Sequence, residues 1–121
     1  MAKILIADDD AEMRAVLNRS LAALGHEVAE TTDGTATLAS ARAQKPDIVL
    51  LDIFMPKLNG ISVLKELAAE LPGTGFIMIT GNEDEDVARE CLKLGAFDYV
   101  TKPINLDVLR KTIDRRLKLL K

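Results

Sequence analysis

Short apolar runs alternate along the chain with longer stretches in which apolar residues return every three or four positions. The runs are Ile4-Leu5-Ile6-Ala7, a weaker one over Glu27 to Glu30, Ile48-Val49-Leu50-Leu51, Phe76-Ile77-Met78-Ile79, and Phe97 to Val100. Three of them are continuously apolar and rich in branched side chains. Strands read that way when a parallel sheet is covered on both faces. The periodic stretches predict helices. Met13, Val16, Leu17, Leu21 and Leu24 mark one face of the first, which Gly25 stops. A second, Ala- and Thr-rich helix is expected over roughly Gly34 to Ala43. The third carries Ile61, Leu64, Leu67, Ala68 and Leu71 before Pro72-Gly73. The fourth shows Val87, Cys91 and Leu94 before Gly95, and the last shows Leu106, Leu109, Ile113, Leu117 and Leu120.

The order is strand then helix, five times over. Such alternation predicts an α/β fold: an open five-stranded parallel sheet, doubly wound, with five helices, right-handed crossovers and the flavodoxin-like strand order 2-1-3-4-5. At 121 residues, with no internal repeat or linker, the chain fits a single domain over 1–121. No segment approaches the ~20 apolar residues needed to span a bilayer, and the run Ile4 to Ala7 is too short for a signal peptide. Cys91 stands alone, so no internal disulfide forms, which suits a reducing compartment and a cytoplasmic location. The net charge of −3 gives no general drive toward nucleic acid. The basic residues of the last helix (Arg110, Lys111, Arg115, Arg116, Lys118 and Lys121) read as a solvated helix end favoured by the macrodipole.

In open sheets of this kind, ligands sit outside the carboxyl ends of the strands. Strand one ends in Asp8-Asp9-Asp10, strand three in Asp52, strand four in Thr80, and strand five in Thr101-Lys102-Pro103. Carboxylates, a hydroxyl and an amine are thus expected on one edge of the sheet. Asp8, Asp9 and Asp52 would repel one another unless a positive group neutralises them. Lys102 offers one charge, and a hard dication supplies the rest. Mg²⁺ suits one or two carboxylates completed by waters and phosphate oxygens. Asp10 is expected to cap the first helix. A carboxylate can also act as a nucleophile toward phosphorus. That transfer needs mainly in-line positioning and neutralised equatorial oxygens, which the metal, Lys102 and the Thr80 hydroxyl would provide.

Taken in order, these residues resemble the receiver domains of two-component response regulators. The resemblance rests on Asp8-Asp9, on Asp52-Ile53-Phe54-Met55-Pro56 with Gly60, on Thr80, and on Gly95-Ala96-Phe97-Asp98-Tyr99 leading to Lys102-Pro103. It implies that Asp52 is the phosphoacceptor and that Mg²⁺ (or Mn²⁺) binds through Asp9, Asp52, the backbone carbonyl of Phe54 and, mainly through water, Asp8. It also implies that Thr80 and Lys102 contact the phosphoryl oxygens, that Thr80 and Tyr99 switch, and that the Lys102-Pro103 bond is cis. The implied donor is the phosphohistidine of a sensor histidine kinase or histidine phosphotransfer protein. The implied receiver of the signal is a downstream protein or an output domain outside this chain, with no direct nucleic-acid or membrane contact by the domain itself. Such a domain is a switch, not an enzyme, although it takes part in catalysing its own phosphorylation and dephosphorylation. Phe54 and Asn82 stand at the positions that tune phosphoryl hydrolysis in this family, and Phe54 cannot hydrogen-bond an attacking water.

Blander roles compete at several positions. Asp8 and Asp9 could serve only as caps, Lys102 as a solvated strand-end lysine, and Tyr99 as a half-buried strand aromatic. His26, just past a helix end, is favoured there electrostatically, and Cys91 reads as a small buried hydrophobe. The rival chemistry is a phosphatase of the haloacid-dehalogenase type, with Asp8 as nucleophile. Ala11-Glu12 does not fit its motif, and no late acidic pair follows Lys102. A receiver fold that no longer accepts phosphate would have lost a site residue, and none is missing. Neither Gly-x-Gly-x-x-Gly nor a P-loop follows strand one, which argues against nucleotide binding.

Overall fold

The computed structural model describes residues 1–119. Leu120 and Lys121, assigned above to the apolar stripe and basic end of the last helix, lie outside the described residues, as does the side chain of Asn82. The strands are β1 (Lys3–Ala7), β2 (Glu27–Thr31), β3 (Ile48–Asp52), β4 (Gly75–Thr80) and β5 (Asp98–Thr101). The helices are α1 (Ala11–Ala23), α2 (Gly34–Gln44), α3 (Gly60–Glu70), α4 (Glu85–Lys93) and α5 (Leu106–Leu119). All neighbouring strands run parallel, in the order β2-β1-β3-β4-β5 expected from the sequence.

Alternation along each central strand divides the core. Leu5, Val49, Leu51, Phe76 and Met78 face one layer, where Val63, Leu64 and Leu67 of α3 and Ala88 and Cys91 of α4 meet them. Ile4, Ile6, Ile48, Leu50, Ile77 and Ile79 face the other, against Leu17 and Leu21 of α1 and Leu109 and Ile113 of α5. Each fully buried aliphatic side chain of this kind is worth about 1.5–3 kcal/mol. Because both faces are covered, the strands must be apolar at successive positions. That is why they read as continuous runs.

The helix ends follow from local chemistry. Asp10 accepts from the N–H groups of Glu12 and Met13, as expected of a cap, and Asp33 and Asn59 do the same for α2 and α3. Gly25 and Gly95 take φ of 91° and 114°, the left-handed conformation that ends α1 and α4.

Three features depart from the sequence reading. Val16, Leu24 and Leu106 belong to the apolar faces that the sequence predicts, yet they are 45%, 47% and 41% exposed. Met13, Leu17 and Leu21 are the α1 residues that pack on the sheet, and Val16 and Leu106 instead line a groove between α1 and the start of α5. The fifth strand begins at Asp98, one residue later than expected, although the Phe97 N–H already bonds the Phe76 carbonyl. A single 3₁₀ turn, Asn82–Asp84, precedes α4.

Candidate functional site

Parallel register carries the ends of β1, β3, β4 and β5 to one edge of the sheet. Leu51 lies beside Ala7, Asp52 beside Ile79, and Thr80 beside Thr101. Past those ends stand Asp8, Asp9 and Lys102. Asp8, Asp9 and Asp52 each offer a carboxylate oxygen, and these lie within 4.8 Å of one another. The Lys102 ammonium reaches Oδ2 of both Asp8 and Asp52 at 3.6 Å. Sequence reasoning placed these four residues together, and the fold brings them together.

Their environments differ. Asp8 is fully buried, and its Oδ1 accepts the Asp10 N–H at 2.9 Å. Its Oδ2, with the Lys102 ammonium at 3.6 Å, has no hydrogen-bond partner among the described residues. Asp9 is exposed. Asp52 is 5% exposed, and its Oδ1 accepts the Phe54 N–H at 3.3 Å. Burial, then repulsion by Asp8, pushes the Asp52 carboxyl up to about 6, against the opposing pull of Lys102 and the Phe54 N–H. An orphaned buried carboxylate oxygen beside two more carboxylates, with one lysine against them, is an excess of negative charge. A hard dication with oxygen ligands fits this donor set. The Phe54 ring is 59% exposed at the rim.

Thr80 is placed at the site but points elsewhere. Its hydroxyl donates to the carbonyls of Gly81 and Asp84, each at 3.3 Å, and so fastens the turn before α4. Tyr99 is half-buried and packs on the core layer shared with α4. The Lys102–Pro103 bond is cis, and the Lys102 N–H bonds the Thr80 carbonyl at 2.7 Å. His26 sits at the opposite end of the strands, where Nδ1 accepts the Ala2 N–H at 3.1 Å. Cys91 is buried.

Two contributors were not singled out from the sequence by these roles. Gly60 packs against the Asp52 backbone: an added Cβ would collide with the Asp52 carbonyl oxygen and lie 3.0 Å from the Asp52 carbonyl carbon and Ile53 Cα. Arg14 donates from Nη1 to the Asp8 carbonyl at 2.9 Å. Its position one turn after the Asp10 cap was the available signal, because helical side chains lean back toward the helix N-terminus.

A family profile described as "Response regulator receiver domain" matches residues 4–114. Regulatory protein AtoC of Escherichia coli is 38% identical over 97% of this chain, which covers 25% of AtoC. Protein PilH of Pseudomonas aeruginosa is 39% identical over 94% of this chain and 96% of its own length. The chain thus spans about a quarter of some relatives and nearly all of others. The crystal structure of the receiver domain of NtrX from Brucella abortus superposes with a TM-score of 0.90 at 30% identity, covering 95% of this chain and 98% of that one. A receiver domain protein from Clostridium thermocellum gives 0.92 at 32% identity, with both chains fully covered. The chain belongs to the response regulator receiver domain family, the signalling switches of two-component systems.

Proposed function

We propose that this chain is phosphorylated on Asp52, in a reaction dependent on Mg²⁺ or Mn²⁺, by the phosphohistidine of a sensor histidine kinase or histidine phosphotransfer protein. The observation that carries this reading is the Asp52 carboxylate itself. It is buried at a strand end, oriented by the Phe54 N–H, 3.6 Å from Lys102 and crowded by two further carboxylates. With a pKa of about 6, it is mostly ionised at neutral pH and available as a nucleophile.

In the transfer, an Asp52 oxygen forms a bond to phosphorus as the phosphorus–nitrogen bond of the donor breaks, and the electron pair leaves with the imidazole. Asp8, Asp9, Asp52 and the Phe54 carbonyl would hold the metal ion. When bound, it neutralises charge on the phosphoryl oxygens. Lys102, 3.6 Å from both Asp8 and Asp52, supplies a further positive charge. Thr80 offers its hydroxyl to a phosphoryl oxygen by leaving the Gly81 and Asp84 carbonyls, which loosens the turn before α4. Tyr99, beside α4 on β5, fills the space so released. The face formed by α4, β5 and α5 then differs between the two states and signals to a downstream protein or an output domain. The same residues take part in catalysing phosphorylation and later hydrolysis.

The test is incubation with acetyl phosphate and Mg²⁺, read by intact mass and peptide mapping, for the wild type and Asp52→Asn. One phosphoryl group on Asp52, only with metal and only in the wild type, is expected. Label on Asp8 would favour the phosphatase reading. No label, with no binding of a beryllofluoride mimic, would leave a phosphate-independent interaction module.

A further inference from the structure

Arg14 makes two bonds that serve different ends. Its Nε pairs with Glu30 Oε1 on β2 at 3.0 Å, and Glu30 Oε2 also accepts Asn18 Nδ2 at 2.6 Å. Its Nη1 meets the Asp8 carbonyl at 2.9 Å. The side chain is only 17% exposed. β1 ends at Ala7, so the Asp8 carbonyl lies just past the strand. The Asp8 N–H is held by the Thr31 carbonyl at 3.2 Å. Arg14 therefore fixes the second side of the same residue. The Asp8 carbonyl and the Asp9 N–H share one rigid peptide plane, so fixing that carbonyl fixes where the exposed Asp9 carboxylate starts from. The planar guanidinium can reach both partners at once, which an ammonium cannot.

We infer that Arg14 is a positioning residue for the metal site: its bond to the Asp8 carbonyl sets the backbone from which Asp8 and Asp9 address a divalent cation. This rests on the proposed metal-binding role of those carboxylates. Two simpler roles make opposite forecasts. If Arg14 acts only as a nearby positive charge, removing it strengthens cation binding. If it only anchors α1 to β2, removing it lowers the melting temperature and leaves cation affinity alone.

The experiment is calorimetric titration of Mg²⁺ into the metal-free chain, with thermal melts in parallel, for the wild type, Arg14→Met and Glu30→Gln. Arg14→Met should weaken Mg²⁺ binding about 10-fold, the lower end of what outer partners of metal ligands contribute. Glu30→Gln removes the charge of the pair but keeps the carbonyl bond, and should stay within about 2-fold of wild type, because the bond that sets the Asp8–Asp9 backbone remains. Should Arg14→Met unfold, Arg14→Lys keeps the charge without both bonds and should also bind more weakly. Unchanged or tighter binding by the Arg14 variants overturns the inference, as does an equal loss in Glu30→Gln. A wild type that binds no Mg²⁺ overturns the metal site itself, an outcome separate from a wild type that binds while Arg14 proves indifferent.

Discussion

Replacing Asp52 by Asn should stabilise the metal-free protein. The Asp52 carboxyl is raised from 3.8 to about 6, first by burial and then by Asp8. A folded state that prefers the protonated acid penalises the ionised one. Above pH 6 the penalty is complete. It shrinks as pH falls from about 6 toward 3.8, where the unfolded chain also takes the proton. At 1.36 kcal/mol per pH unit the displacement is about 3 kcal/mol. Solvent at the mouth of the site screens part of it, leaving about 2 kcal/mol. For a domain of this length the entropy of unfolding at the midpoint makes that about 8 °C. The amide oxygen introduced by the substitution can still accept the Phe54 N–H, and Lys102 keeps Asp8 at 3.6 Å. Thermal melts in chelator should therefore show Asp52→Asn melting about 8 °C above wild type at pH 7.5, with the gap closing as the pH is lowered through 6 toward 4. Mg²⁺ at 100 times its dissociation constant should add about 2.7 kcal/mol to the wild type and little to the variant, erasing the gap. If Asp52→Asn melts no higher than wild type in chelator at pH 7.5, or if the gap ignores pH, crowded charge is not what governs this site.

Gly60→Ala places a methyl against the Asp52 carbonyl. It should cost about 1–3 kcal/mol in denaturant melts and slow acetyl-phosphate labelling by displacing the acceptor. Phe54→Asn gives an attacking water a hydrogen-bond partner that the exposed ring lacks. Single-turnover decay should accelerate about 2- to 10-fold, the equivalent of one hydrogen bond of roughly 0.5–1.5 kcal/mol, and a slower decay would contradict the reading. The His26 pKa is lowered, first by burial and then by the N-terminal charge. The stability its neutral ring contributes through the Ala2 N–H is present above 6.5 and lost as pH falls through the lowered folded value. His26→Asn keeps an acceptor that does not titrate, so its melting temperature should fall less than that of wild type between pH 7.5 and 5.5.

The strands and the charged edge were legible for one reason: each residue type was in conflict with a bland alternative. Ile4 to Ala7, Ile48 to Leu51 and Phe76 to Ile79 are too apolar for a sheet with one wet face, so two helical layers had to cover them. Aspartates at the ends of two central strands and a lysine past the end of edge strand β5 serve no packing purpose, so their convergence pointed to charge chemistry. Where several outcomes satisfy the same residues, legibility failed. An apolar stripe on α1 is equally consistent with facing the sheet or a groove beside α5, and Val16 and Leu24 took the exposed side. The Thr80 hydroxyl could serve a phosphoryl oxygen or a nearby carbonyl. Which one it meets depends on a 3₁₀ turn that the acidic run Glu83 to Asp86 does not announce.

The deeper limit concerns the backbone. Side-chain chemistry announces itself in a sequence, because a carboxylate or an amine is a letter. The groups that aim those side chains are peptide units, which every residue carries alike. The Phe54 N–H orients Asp52, the Asp52 carbonyl requires a hydrogen at Gly60, and the Asp8 carbonyl takes the Arg14 guanidinium. Gly60 stands in the motif after β3, but the motif does not say which peptide it must clear, and the other two peptide units are no motif at all. Each becomes visible only once the fold says which peptide plane lies beside which side chain. Mutations at Gly60 and Arg14 therefore probe something that mutations at Asp8, Asp9 and Asp52 cannot. They leave every charged group of the cluster in place and change only how the backbone beneath it is held.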